Sequence, residues 1–472
     1  MTPYSPGAAY HLVGIGGAGM SVVAELLAAS GGRVTGSDSK ESETTRRLAA
    51  EGIAVSIGHD ASHVPADAIL VVSSAIRQNN PELVIARERS QKILHRSQAL
   101  ALAAHGQDFV AVAGAHGKTT TSAMIATALR EVGLDPSWAI GGTVVGVGGG
   151  SHLGTGRAFV AEADESDESF LNYQPFIAVV TNIEPDHLDH YGSIEEFERA
   201  FDRFGRLVKE DGALIACVES PGALAIAIAA IERGQRVITY GYGSGPSGAA
   251  AHVRVEDLGA GPEDGTSHES EGEGASGILD DGSGPIPLRL TVVGGHNLLN
   301  AAGAWAAGVE LGVDRQEMAD ALSHFRGTGR RFEFRGESGG VRVIDDYAHH
   351  PTEVEATLAA ARAVAGAGAV RVLFQPHLYS RTANFADRFA EALSLADDVV
   401  VTSVYAARED PIEGVEGDLI TAKMDRAQFV ANKVEAARTL AARACPGDLV
   451  MTVGAGDVTE LGPVILNAIE AR

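Results

Sequence analysis

Apolar runs of strand length that end abruptly in glycine or acid, each followed by a helix-like segment, recur along nearly the whole chain. That rhythm specifies parallel sheets wrapped by helices, because strands covered on both faces read as continuous apolar runs. Three series separate. Over residues 1–105, "YHLVGI", "RVTGSD" and "AILVVSSA" alternate with "AGMSVVAELLAAS" and "SETTRRLAAEG". Over 106–326 the strand-like runs are "DFVAVAG", "AFVAEAD", "FIAVVTN" and "ALIACV"; over 327–472 they are "VRVIDDYA", "VRVLFQPH", "DDVVVTSVY" and "DLVMTVGAG". At roughly 150 residues per domain, a chain of 472 residues suits this α/β reading in three domains.

Between Gly241 and Pro287 the rhythm lapses into Gly, Ser, Pro and acidic residues. Such a tract is too poor in large apolar side chains to build a core, so residues 244–286 are expected to form a mobile surface insertion. The formal net charge of -25 repels nucleic acid and anionic membranes, so any anionic substrate has to be met by locally placed basic groups. Only two cysteines, Cys217 and Cys445, are present, which supports neither a disulfide framework nor a thiolate metal site and fits a reducing cytoplasm. The longest apolar run, "ALAIAIAAI", falls well short of the ~20 residues needed to span a bilayer, and no secretory leader is expected. Monomer and homodimer both stay open.

Two glycine clusters follow strands and open helices. In "HLVGIGGAGMS", Gly14, Gly16 and Gly19 have dinucleotide-loop spacing, and Gly16, Gly17, Ala18 and Gly19 can approach a diphosphate at the helix N-terminus. Asp38, at the end of the next strand, is a candidate for a ribose hydroxyl; glycines at such a turn also serve packing alone. In "GAHGKTTT" the common phosphate-loop pattern asks for glycine five positions before Gly117, where this chain has Val112. Gly114, Ala115, His116, Gly117, Lys118, Thr119 and Thr120 can still surround polyphosphate with N–H groups, an ammonium and hydroxyls. A threonine-capped glycine turn would leave Lys118 unexplained.

A phosphate loop should come with a carboxylate at a neighbouring strand end, because Mg²⁺ takes oxygen ligands. Glu162 in "FVAEADESD" occupies such a place; the alternative is that Glu162, Asp164, Glu165, Asp167 and Glu168 solvate a loop. His187 sits similarly in "TNIEPDHLDHYG", where a structural role is equally open. In the third series, "VIDDYAHHPTE" groups Asp345, Asp346, Tyr347, His349 and His350 before Pro351, which suits a helix start. "FQPHLYSRT" adds His377, Tyr379 and Arg381, and "GTGRRFE" adds Arg330 and Arg331, whose guanidinium groups suit phosphate oxygens or interdomain ion pairs.

Taken in order, "GIGGAGMS", "GAHGKTTT", "EADESD", "TNIEPDHLDHY", "GGHNLLNA", "GTGRRFE", "DDYAHHP" and "FQPHLYSRT" closely resemble the Mur ligase family across nearly the whole chain outside the acidic tract. The resemblance implies a Rossmann-like N-terminal domain, a central P-loop ATPase-like domain and a Rossmann-like C-terminal domain. It implies ATP and Mg²⁺, and the joining of L-alanine to the lactyl carboxylate of UDP-N-acetylmuramate through an acyl phosphate, for peptidoglycan precursors. Lys118 would contact the terminal phosphates; Thr119, Glu162 and His187 would help hold Mg²⁺; His296, Asn297 and Asn300 would face adenine. Arg331 and Asp346 would reach ATP, and Tyr347, His349, Tyr379 and Arg381 would lie near the amino acid, with His349 and Arg381 next to Lys118 as catalytic candidates. The first glycine cluster, Asp38 and Ser74 would bind the UDP-sugar.

Two departures stand out. Leu378 replaces the arginine common in "FQPHRYSRT", and Phe201 falls where sister ligases carry a carbamylated lysine, so no carbamate is assigned. Three rival readings differ in chemistry: a family ligase that adds a recycled peptide, a nicotinamide-dependent dehydrogenase on the first glycine cluster, and a nucleotide switch, for which "NKVE" at Asn432 half resembles a guanine-reading motif.

Overall fold

A computed structural model describes residues 7–243, 251–260, 274–407 and 409–472. It contains three sheets. The first has the strand order Ala54–Ile57, Arg33–Asp38, Ala9–Val13, Ile69–Val72, Ile93–His95, with every pairing parallel. Chain order reverses beside Ala9–Val13, so the loop leaving that strand opens into the crevice where α/β sheets bind ligands. Local chemistry sets the helices: Ser42 and Thr45 cap each other at the start of Glu43–Ala50, and Asn80 with Pro81 starts Pro81–Glu88.

The second sheet has ten strands, centred on Asp108–Ala113 between Ile177–Val180 and Ala158–Glu162. All three central strands are parallel and buried, so their C-terminal ends share one rim. Here the acidic tract departs from its expected character. Its described parts form the strands Val253–Ala260, Ala275–Asp280 and Pro285–Arg289, which extend the sheet. Apolar residues at alternate positions are enough for a one-sided strand: Ile286 and Leu288 are buried while their neighbours face outward, a pattern that average composition conceals. The rest of that tract, 244–250 and 261–273, lies outside the described residues. Phe201 is fully buried against Phe170 and Phe197, far from any ligand role in character.

The third sheet runs Glu333–Ser338, Val341–Asp346, Leu449–Val453, Val370–Phe374, Asp398–Val401, Ala427–Phe429, parallel except for its first pair. Asn432 caps the helix Lys433–Arg443 by accepting from Val434 N and Glu435 N at 3.0 and 3.1 Å, which accounts for "NKVE" without a nucleotide. Both cysteines are free; burial pushes the Cys217 thiol up to about 11. No helix among the described residues is long and apolar enough to cross a membrane.

By internal contacts the chain divides into two compact units, one carrying the first two sheets and the other the third sheet with residues 259–275 and 291–297. In the second unit the buried Asp448 accepts from Cys445 N, Ala369 N and Arg371 Nε at 2.9, 3.0 and 2.7 Å. Burial alone would raise its pKa, but these donors outweigh burial and lower it. A depressed folded pKa contributes stability that is complete above the unfolded value of about 3.9 and is lost as pH falls through the folded value. Asp448→Asn should therefore lower the stability of this unit by about 1–3 kcal/mol at neutral pH. In urea unfolding followed against pH, the gap from the parent should close below about pH 4.

Candidate active site

The loop 114–117 leaves the central strand of the ten-stranded sheet and ends at the helix Lys118–Glu131. Val112, where a longer loop would need glycine, is a fully buried strand residue paired with Val179 and Glu162. The turn begins two residues later. Gly114 has φ +138°, and a Cβ there would lie 2.1 Å from Thr181 Oγ1; at Gly117, φ +82°, it would lie 2.6 Å from Asn300 Oδ1. Side chains at the end of the neighbouring strand brace the loop: Asn182 Oδ1 accepts from His116 N at 2.9 Å, and Thr181 Oγ1 donates to His116 O at 2.6 Å.

Lys118 Nζ donates to Gly114 O at 2.6 Å and Ala115 O at 3.3 Å, and pairs with Glu165 Oε1 at 2.9 Å. Burial opposes its charge, but Glu165 outweighs burial and the ammonium is held above its usual pKa. Thr119 Oγ1 donates to Glu162 Oε2 at 3.1 Å, and Gly141 N holds the other oxygen of Glu162 at 2.6 Å. His187, at φ +52°, brings Nε2 to 3.9 Å from Glu165 Oε1. Glu165 is 1% exposed, and its Oε2 has no hydrogen-bond partner. The buried Glu165 Oε2 with its unused lone pairs, and the Thr119–Glu162 pair at the adjoining strand end, are hard oxygen donors of the kind Mg²⁺ takes.

The run of acids after strand Ala158–Glu162 does more than solvate a loop. Asp164 receives the Arg96 guanidinium, Asp167 accepts from Ser74 Oγ at 2.6 Å and faces His95 at 3.5 Å, and Glu168 pairs with Arg203 at 2.7 Å. Its acids thus tie the first sheet's domain to the phosphate loop. Arg96 lies against the first glycine cluster as well, where a Cβ on Gly19 would meet its Nη1 at 2.5 Å. In that cluster Gly17 caps the helix Ala18–Ala29, and Asp38 Oδ2 accepts from Gly16 N at 2.9 Å, bracing the loop. No motif flagged Arg96 in the sequence; only folding brings "HRSQ" beside both loops.

On the third sheet, Asp345 accepts from Thr452 and Thr459 at 2.6 and 2.7 Å. Asp346 accepts from Phe332 N, Ala348 N and Thr357 Oγ1 at 2.8, 2.8 and 3.1 Å, so its carboxylate organises its own loop. Arg330 donates to Gly454 O and Gly456 O, and both Arg330 and Arg331 lie over the Tyr347 ring, 4.8 and 5.0 Å from its centroid. His349 stands 5.7 Å from His377 ring to ring, and Arg381 Nη1 is 3.4 Å from His377 Nδ1. Burial depresses His349 to about 3, opposed by Glu353 and reinforced by Arg381 and His377, so the ring is neutral at physiological pH. His296 is likewise pushed down to about 4, by burial and then Arg331. Tyr379 is 8% exposed and packs with Val404 and Val415. Leu378 is buried at φ +71° as the residue before helix Tyr379–Leu393. Asn297 Nδ2 donates to Val293 O at 2.7 Å, while Asn300 Oδ1 accepts from Thr121 Oγ1 at 3.3 Å beside Gly117.

Residues 9–108 match the Mur ligase family, catalytic domain; residues 112–308 match the Mur ligase middle domain; and residues 330–456 match the Mur ligase, glutamate ligase domain. A UDP-N-acetylmuramate–L-alanine ligase of Renibacterium salmoninarum is 52% identical over 97% of this chain and 95% of its own length. One from Kineococcus radiotolerans is 52% identical over 98% and 96%. Among solved structures, the UDP-N-acetylmuramate-alanine ligase of Thermotoga maritima superposes with a TM-score of 0.79 at 29% identity, covering 98% of this chain and 99% of that one.

The geometry of the phosphate loop carries its own test of stability. Lys118→Met leaves the buried Glu165 carboxylate without its ammonium partner, and should lower stability by ~3–5 kcal/mol in denaturant unfolding. Combining it with Glu165→Gln should restore most of that loss.

Proposed function

The chain belongs to the Mur ligase family, and on that premise we propose that it joins L-alanine to the lactyl carboxylate of UDP-N-acetylmuramate at the expense of ATP. The product is a cytoplasmic precursor of peptidoglycan. One observation carries the reading: a short glycine turn holds Lys118 between two loop carbonyls and Glu165, with Thr119 and Glu162 at the adjoining strand end. A hydride-transfer reading, drawn from the first glycine cluster alone, gives that arrangement no task.

A carboxylate does not condense with an amine at neutral pH because its oxygen leaves poorly. Transfer of the γ-phosphoryl group of ATP to the lactyl carboxylate turns that oxygen into part of a phosphate, and the amine of alanine then displaces it through a tetrahedral intermediate. Lys118 and the loop N–H groups stabilise charge that spreads over the transferring phosphoryl oxygens. Thr119, Glu162 and His187 would hold Mg²⁺, with Glu165 as a neighbouring oxygen donor. When bound, the ion would supply charge neutralisation at the phosphates. Gly16, Gly17, Ala18 and Gly19 would take the diphosphate of the UDP-sugar, with Arg96 at hand as a cation. His296, Asn297 and Arg331 would serve the nucleotide; His349, His377 and Arg381 would serve the amino acid, with neutral His349 as its proton acceptor.

Phosphate release from ATP should require both UDP-N-acetylmuramate and an amino acid, with L-alanine preferred to a tripeptide. ¹⁸O placed in the muramyl carboxyl should appear in the inorganic phosphate. Lys118→Ala should lower kcat on the order of a hundredfold or more; full turnover in a folded variant would refute the role given to the loop.

A further inference from the structure

Glu353 is the third residue of the helix Pro351–Ala365, where it completes a capping box by accepting from His349 N at 3.0 Å and His350 N at 3.3 Å. A glutamine would cap equally well. The side chain does more than cap: it is 9% exposed, its Oε2 lies 3.2 Å from His349 Nδ1, and its Oε1 lies 3.7 Å from Arg331 Nη1. The other neighbour of His349 Nδ1 is the Tyr347 carbonyl, at 3.0 Å. Two acceptors facing one ring nitrogen place the hydrogen there and leave the lone pair on Nε2.

We propose that Glu353 is a positioning residue that fixes His349 with its proton on Nδ1, so that Nε2 takes a proton from the incoming ammonium group and the carboxylate stabilises the imidazolium that results. The inference rests on the reading of His349 as proton acceptor: burial disfavours the imidazolium, and Glu353 is the neighbouring charge that opposes burial. In the step, the ammonium of alanine loses one proton to Nε2, and the freed lone pair forms the bond to the acyl carbon. The bond from that carbon to the phosphate oxygen breaks, its electron pair leaves with phosphate, and phosphate accepts the second proton from nitrogen. The carboxylate opposite Nε2 has the same relation to the ring as the acid of a hydrolase triad, where its loss leaves a wrongly poised base.

The test separates amine activation from everything before it. Acyl phosphate formed without acceptor can be trapped by borohydride reduction, and hydroxylamine, already a neutral nucleophile at neutral pH, can replace alanine. The Glu353→Gln variant is expected to melt at the parent temperature and to trap the same amount of acyl phosphate. Its turnover should fall about tenfold or more with alanine, up to the ~10²–10⁴ that general base catalysis supplies, and stay near the parent rate with hydroxylamine. Glu353→Asp, which keeps the charge, should recover part of the alanine rate. Equal losses with both nucleophiles, or no loss with alanine, would overturn the proposal. His349→Ala serves as the control: unimpaired alanine turnover there refutes the base itself, whereas an alanine-specific loss there without one in Glu353→Gln refutes only the role of Glu353.

Discussion

The ion pair between Lys118 and Glu165 is the interaction on which the larger unit's site depends. A charge buried as deeply as Glu165 persists only with a partner, and the partner offered by the fold is the first residue of the helix that follows the phosphate loop. Pairing them sets the distance between two strand ends of one sheet. From that fixed point the neighbouring acids reach outward: Glu162 to Thr119, Asp164 to Arg96, Asp167 to Ser74 and His95. Five acids in seven residues would repel one another on an open surface; spread over separate cations and donors, they become the hub that joins two domains.

The smaller unit solves a comparable problem with a different economy. Tyr347, His349 and His350 leave the end of strand Val341–Asp346 in an irregular segment whose amides have no sheet partner, and two carboxylates hold it. Asp346 gathers Phe332 N and Ala348 N, and Glu353 gathers the amides of His349 and His350 from the helix that follows. Backbone satisfaction and side-chain aim are therefore the same act: the residues that keep the segment ordered also point the imidazole and the arginines.

Much of this was legible in one dimension. The strand-to-helix rhythm specified parallel sheets, and both glycine loops fell at strand ends where ligands bind. Thr119 and Glu162, two of the three residues expected around Mg²⁺ together with His187, are hydrogen bonded to each other. The acidic tract misled because its mean composition hides the alternation that makes Val253–Ala260 and Pro285–Arg289 strands. A motif names neighbours in sequence, whereas helix geometry decides what each side chain touches: Arg381 approaches His377, and Tyr379 packs into an apolar cluster.

By itself the sequence determined the class of each element, the places where chain direction demands glycine, and the chemical kinds of group held near each strand end, because these follow from local sterics and periodicity. Only the tertiary structure decided which acid serves which base. Arg96 and Asp164 are 68 positions apart and Lys118 and Glu165 are 47 apart, and neither pair has a local signal. Partner choice among these charges is settled by which strand ends the sheet order brings together, and that order is a property of the whole chain.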